Sequence, residues 1–185
     1  MDLVIRHARP GEAGLVLAFV EKLAVYEKLD HEVEATEASF DAVLFGPNPR
    51  VYCEFAEVDG VPVGFALWFY NFSTFRGRHG IYLEDLFVEP EYQGKGIGKA
   101  LLRHLAKRCV DEGLGRFEWW VLDWNKPSIA FYESLGSIPM DEWTVFRVTG
   151  DALVELAEGR PRQEPPRGLS PFGGDVASEQ NQDRT

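Results

Sequence analysis

The sequence predicts a mixed α/β fold: a central, mostly antiparallel sheet flanked by helices. Three observations carry that expectation. Two runs rich in β-branched and aromatic residues, 51–58 and 61–70, are joined by Asp59-Gly60, a pair that tolerates the positive φ of a tight two-residue hairpin. A third such run, 81–88, passes through the glycine-rich stretch 93–98 into an amphipathic segment and then into 117–122, the pattern of a strand, helix, strand unit. No internal repeat and no linker interrupts residues 1–159, so that stretch is expected to be one domain.

The elements follow in order. Leu3 to Ala8 alternates apolar and charged residues as a half-buried strand, and Pro10-Gly11 leads into a helix with Leu15, Ala18, Phe19, Leu23 and Tyr26 at helical spacing. Thr36 can cap a second helix carrying Phe40, Val43 and Leu44, which the cluster Gly46-Pro47-Asn48-Pro49 ends. After the hairpin and the 81–88 strand, a helix from about Gly96 to Glu112 sets Ile97, Leu101, Leu105 and Cys109 on one face, which places Cys109 in the core. Asn125, Pro127 and Ser128 resemble a helix start, and Gly136 sits where that helix stops. A last strand is expected over 143–148 and a closing helix over 151–158. Residues 160–185 are rich in Pro and Gly with only scattered apolar residues, and read as a disordered tail.

Composition narrows the function classes. The 185 residues are 45% apolar and 26% charged, enough to bury a core without staples. The two cysteines, Cys53 and Cys109, lie far apart, which fits a reduced compartment. Neither a run long enough to cross a membrane nor a signal-peptide start is visible, and the expected location is the cytoplasm. The net charge is -11, which repels nucleic acid and favours cationic partners. The segment from Arg160 onward is neutral, so the acidity belongs to 1–159.

Metal chemistry is not expected: His31-Glu32 is followed by Ala35 where a zincin helix needs its second histidine, and His7, His79 and His104 stand isolated. No Gly-x-Ser-x-Gly elbow occurs either. The segment Gln93-Gly94-Lys95-Gly96-Ile97-Gly98-Lys99 follows a strand and opens a helix, so backbone N–H groups and a helix dipole converge where an anion can sit. Glycine lets a pyrophosphate approach the backbone, and Lys95 and Lys99 add charge at the rim. The spacing fits neither a Walker A loop nor a dinucleotide fingerprint.

With Leu86-Phe87-Val88 before it, Gln93-x-x-Gly96-x-Gly98 resembles the acetyl-CoA loop of the GNAT N-acetyltransferase superfamily. Tyr82-Leu83-Glu84-Asp85-Leu86-Phe87-Val88 and Trp124-Asn125-Lys126-Pro127-Ser128-Ile129-Ala130-Phe131-Tyr132 resemble its spermidine/spermine (diamine) acetyltransferase branch. The resemblance spans roughly residues 3–148. It implies acetyl-CoA as co-substrate, with Leu86, Phe87 and Val88 along the pantetheine arm, Gln93 to Lys99 around the pyrophosphate, and Asn125, Lys126, Pro127, Ser128 and Tyr132 as further contacts. It also implies Tyr132 as the general acid at the thioester sulfur. An acceptor groove is implied too, lined by Tyr26, Glu27, Glu84, Asp85, Glu118, Trp119, Trp120 and one of Asp141 or Glu142, and a homodimer is expected.

The chemistry is consistent with those residue types. An alkyl ammonium of pKa about 10.4 must lose a proton before it can attack a thioester, which costs about 4.6 kcal/mol at pH 7, so a carboxylate at the acceptor is useful. Glu84 matches the family's relay glutamate and Asp85 supports the same region. Neighbours on a regular strand point to opposite faces, and a bulge, which the resemblance implies in this strand, can re-aim one of them. Carboxylates and aromatic faces together suit an extended diamine. The expected reaction is direct acetyl transfer to a primary amine of a small di- or polyamine or a lysine-like acceptor. The alternatives are an aminoglycoside or protein amine as acceptor, or an acyl-CoA sensor without turnover.

Overall fold

The computed structural model describes residues 1–160, so the expected tail, apart from Arg160, lies outside the described residues. The chain divides into two compact units, Met1–Ala130 and a second that begins at Phe131.

The first unit is built on a five-stranded sheet in the order β1 (Leu3–His7), β2 (Tyr52–Val58), β3 (Val61–Ser73), β4 (Arg78–Val88) and β5 (Phe117–Trp119). The first four strands are antiparallel, and β5 runs parallel to β4. The β2–β3 turn places Asp59 at φ 51 and Gly60 at φ 81, the two left-handed residues that a type I′ hairpin requires.

Helices α1 (Ala13–Glu27) and α2 (Glu37–Phe45) pack together on one face of the sheet. Phe19 anchors that core, its ring 5.4 Å from Phe65, 5.9 Å from Phe55 and 6.2 Å from Phe87. The buried residues of α1 are Ala13, Val16, Phe19 and Ala24, whereas Leu15 and Leu23 reach the core from its rim and Tyr26 is exposed. The stripe thus runs through Val16 and Phe19. Thr36 caps α2 through a reciprocal pair of bonds with Ser39, as its position predicts.

Helix α3 (Ile97–Asp111) covers the opposite face. Phe55 joins the α1 core, while its neighbour Glu54 meets His104 of α3, as side-chain alternation along a strand dictates. Ile97, Leu101, Leu102 and Leu105 are buried, but Cys109 in the last turn is only half-buried. That corrects its expected place in the core: Cys109 sits at the sheet's edge, its Sγ 3.9 Å from Arg116 O just before β5.

The strand expected over 117–122 stops at Trp119. Its partner β4 loses register at Glu84, and pairing ends at Leu83 opposite Trp119. A further helix, α4, spans Lys126–Ser134 and ends before Gly136 at φ 87.

The second unit holds the closing helix α5 (Gly150–Ala157). The expected strand over 143–148 does not form. A strand needs a ladder partner for its backbone, and no described strand pairs with this segment. Trp143, Val145, Phe146 and Val148 are accordingly exposed.

Candidate active site

Two features of β4 build the site. The first is its bulge. Leu67 opposes Asp85 and Trp68 opposes Leu83, which leaves Glu84 as the extra residue. Leu83 therefore shares the α3 face with Trp68, and Asp85 shares the α1 face with Leu67. A regular strand would have put both on one face. The outcome is an exposed Glu84 beside a half-buried Asp85. Burial, then the charges of Glu84 and Glu27, push the Asp85 carboxyl up to about 7. Burial also raises Glu27, which ends α1. The charges of two carboxylates, Glu84 on β4 and Glu27 on α1, thus act on Asp85 at this point.

The second feature is the open edge beyond Leu83. The Glu89 N–H donates to Val63 O at 2.9 Å, so Phe87 and Glu89 turn their main-chain groups toward β3, while Leu86 and Val88 turn theirs toward the side that β5 has left. The Val88 carbonyl accepts a bond from the Gln93 side-chain amide at 2.9 Å, which ties the strand end to the turn after it. In that turn Gly94 and Gly96 have φ of 72° and 83°. Nothing lies within 4 Å of a Cβ at either position, so backbone conformation, not crowding, is what calls for glycine. Gly96 opens α3 with no side-chain cap and no acidic residue in the first turn. The first N–H groups of α3 are thus offered to an anion. Lys99 lies in the first turn, and Lys95 Nζ rests 4.9 Å from the Tyr92 ring centroid. These residues suit a pyrophosphate.

The remaining expected residues fall in several places. Asn125 is buried and caps α4, its Oδ1 accepting the Ser128 N–H at 3.3 Å, with Lys126 and Pro127 in the first turn. Tyr26 donates to the same Oδ1 at 3.3 Å. Glu118 is held by Asn71 at 2.7 Å and Arg116 at 3.2 Å. Trp119 packs on Phe117, and the exposed Trp120 packs edge-on against Tyr82. In the second unit the Tyr132 ring lies 5.4 Å from that of Phe131, and Asp141 and Glu142 are exposed in a turn closed by Trp143 N–H on Met140 O.

Comparisons with known proteins identify the family and the fold. Residues 17–137 match the acetyltransferase (GNAT) family. The chain belongs to that family. It is 39% identical to the pig (Sus scrofa) thialysine N-epsilon-acetyltransferase over 84% of this chain and 98% of that protein. It is 32% identical to the Arabidopsis thaliana L-ornithine N5-acetyltransferase NATA1, over 82% and 86% of the two chains. Among solved structures, an integron cassette protein from the mobile metagenome of V. cholerae superposes with a TM-score of 0.71 at 28% identity, covering 85% of this chain and 99% of that one. The GNAT assignment makes the protein an N-acetyltransferase.

Sequence reasoning favoured Glu84 over Asp85; in this acetyltransferase Glu84 is the exposed bulge residue, and burial raises the Asp85 carboxyl beside it. No glycine or proline marks the bulge that re-aims it, so the sequence offered no local signal. Two histidines that looked isolated also meet. His7 Nδ1 and His104 Nε2 lie 3.2 and 3.7 Å from the two oxygens of the fully buried Glu54, a pairing only the β1–β2 register and the α3 packing reveal.

Proposed function

We propose that this GNAT enzyme transfers the acetyl group of acetyl-CoA directly to the primary amine of a small lysine-like, diamine or polyamine acceptor. The observation that carries this reading is the β4 bulge, which sets Asp85, its carboxyl raised by burial and by the charges of Glu84 and Glu27, beside the exposed Glu84. A base of pKa about 7 is well matched to accept a proton at neutral pH, and its two carboxylate neighbours attract the cationic form of the acceptor. The names of the relatives, which refer to thialysine, ornithine and spermidine/spermine, support the same acceptor class.

Acetyl-CoA supplies an activated acyl thioester. The chain's own residues do the rest. The N–H groups of 94–99 hold the pyrophosphate, and the Leu86 and Val88 backbone aligns the pantetheine arm. Asp85, aided by Glu84, takes the ammonium proton. The amine nitrogen then forms the bond to the acyl carbon as the bond to sulfur breaks, Tyr132 gives its hydroxyl proton to the departing thiolate, and the second proton that the nitrogen sheds as the amide forms returns to the Tyr132 oxygen through solvent, while Asp85 releases its proton to solvent. The enzyme acts as a homodimer in the cytoplasm.

Thiol release from acetyl-CoA with thialysine, lysine, ornithine, putrescine and spermidine tests this, with wild type set beside Asp85→Asn and Glu84→Gln. Turnover on at least one of these amines, falling at least tenfold in Asp85→Asn, is the expected result. Bound acetyl-CoA with no thiol released for any of them would overturn the proposal.

A further inference from the structure

We infer that Tyr26 is a positioning residue. On this reading its hydroxyl locks the end of α1, which carries the acceptor carboxylate Glu27, to the start of α4, which Asn125 caps and whose first turn holds Ser128. The inference rests on the proposed function for what the two ends bind, but its geometry stands alone.

The Tyr26 hydroxyl donates to Asn125 Oδ1 at 3.3 Å. That oxygen is already the cap of α4 through the Ser128 N–H, so Tyr26 bonds to the atom that starts the helix. Asn125 is 6% exposed, and a buried amide oxygen with two donors is held in one orientation. Two more contacts come from the same end of α1. The Tyr26 ring lies 6.2 Å from that of Trp124, and Lys28 Nζ lies 5.9 Å from the Trp124 centroid.

The shape of the helix end makes this possible. Lys28 is left-handed, at φ 63, and α1 closes with Lys28 N–H on Val25 O and Leu29 N–H on Ala24 O, a tight C-terminal cap. Tyr26 and Lys28 thus sit on a rigid turn, with Glu27 between them. A displacement of this turn moves Glu27 with respect to Asp85, and a displacement of Asn125 moves the start of α4. The hydroxyl couples the acceptor side to the acetyl-CoA side, a role separate from any contact of its ring with the acceptor.

Tyr26→Phe keeps the ring and removes only that coupling. Its acetyl-CoA Kd, measured by calorimetry without any amine, should rise about five-fold, the order expected for one neutral hydrogen bond. The value of kcat/KM should fall by one common factor for every amine. Asn125→Ser keeps a capping oxygen but is too short to reach Tyr26, so Tyr26→Phe in that background should add no further loss. An unchanged acetyl-CoA Kd with losses that differ from amine to amine would make Tyr26 a groove wall and overturn the inference. Additive losses in the double variant would overturn it too. Failure of the wild type to acetylate any amine would remove the proposed function, while the calorimetric cycle would still decide the role of Tyr26.

Discussion

Asp85 concentrates the residue-scale argument, because one side chain there serves two opposed ends. Its ordinary carboxyl pKa of 3.8 is raised to about 7 by burial and by the neighbouring charges of Glu84 and Glu27. As the proposed base it works only when ionised, so kcat/KM for the amine should climb about tenfold per pH unit below about pH 7 and then level off. Asp85→Asn should remove that limb from the profile. The apparent value will belong to the carboxylate cluster as a whole. Stability runs the other way. A carboxyl whose folded pKa lies above its unfolded value stabilises fully below the unfolded value, near 3.9, and loses that contribution as pH rises through about 7. Ionised Asp85 is therefore a cost above neutrality. Asp85→Asn should melt above the wild type at pH 8, with the gap closing toward pH 4. Equal melting temperatures at pH 8 would show that the carboxyl is not desolvated.

At the scale of elements, the turn into α3 is where backbone conformation does what side chains do elsewhere. Gly96 holds φ 83 at the start of the helix with open space around its missing Cβ. Gly96→Ala introduces no clash, only a left-handed penalty of about 1–2 kcal/mol, and the chain can relieve it by turning the N–H groups away from the phosphate. The acetyl-CoA Kd should rise roughly tenfold by calorimetry, with little change in the acceptor KM. An unchanged Kd would move the phosphate seat off this turn. This element was legible in advance because glycine spacing is a local signal. So were the Asp59-Gly60 hairpin, the Thr36 cap and the Asn125 cap, each set by a few adjacent residues. The bulge at Glu84 was expected only through the family resemblance, because it depends on how β3 and β4 pair, Trp68 with Leu83 and Leu67 with Asp85, fifteen and eighteen residues apart. The missing strand at 143–148 fails for a related reason. Alternation reports what a segment could pair, not whether a partner is present. Tyr26 was picked out as a groove residue, but its bond to Asn125 spans 99 positions and only the fold could show it.

For the whole molecule, charge and exposed apolar surface bear on self-association in opposite directions. A net charge of -11 keeps copies apart at low ionic strength. The second unit nevertheless exposes Ile138, Met140, Trp143 and Phe146, Phe146 at 90%. Side chains of this size grouped on a short stretch mark an interaction surface more than a solvated one. Apolar burial contributes about 25 cal/mol per Å2, and salt screens the repulsion beyond about 8 Å. The homodimer proposed for this enzyme accounts for that surface, because a second copy can cover it. Light scattering at 0.15 M salt should therefore give a mass near twice the 20.9 kDa of one chain. Phe146→Asp with Trp143→Ser should return the mass toward that of a single chain while the circular dichroism of the sheet persists. A wild type that stays monomeric at tens of micromolar would sink the dimer. A dimer unaffected by the double substitution would place the interface elsewhere on the molecule.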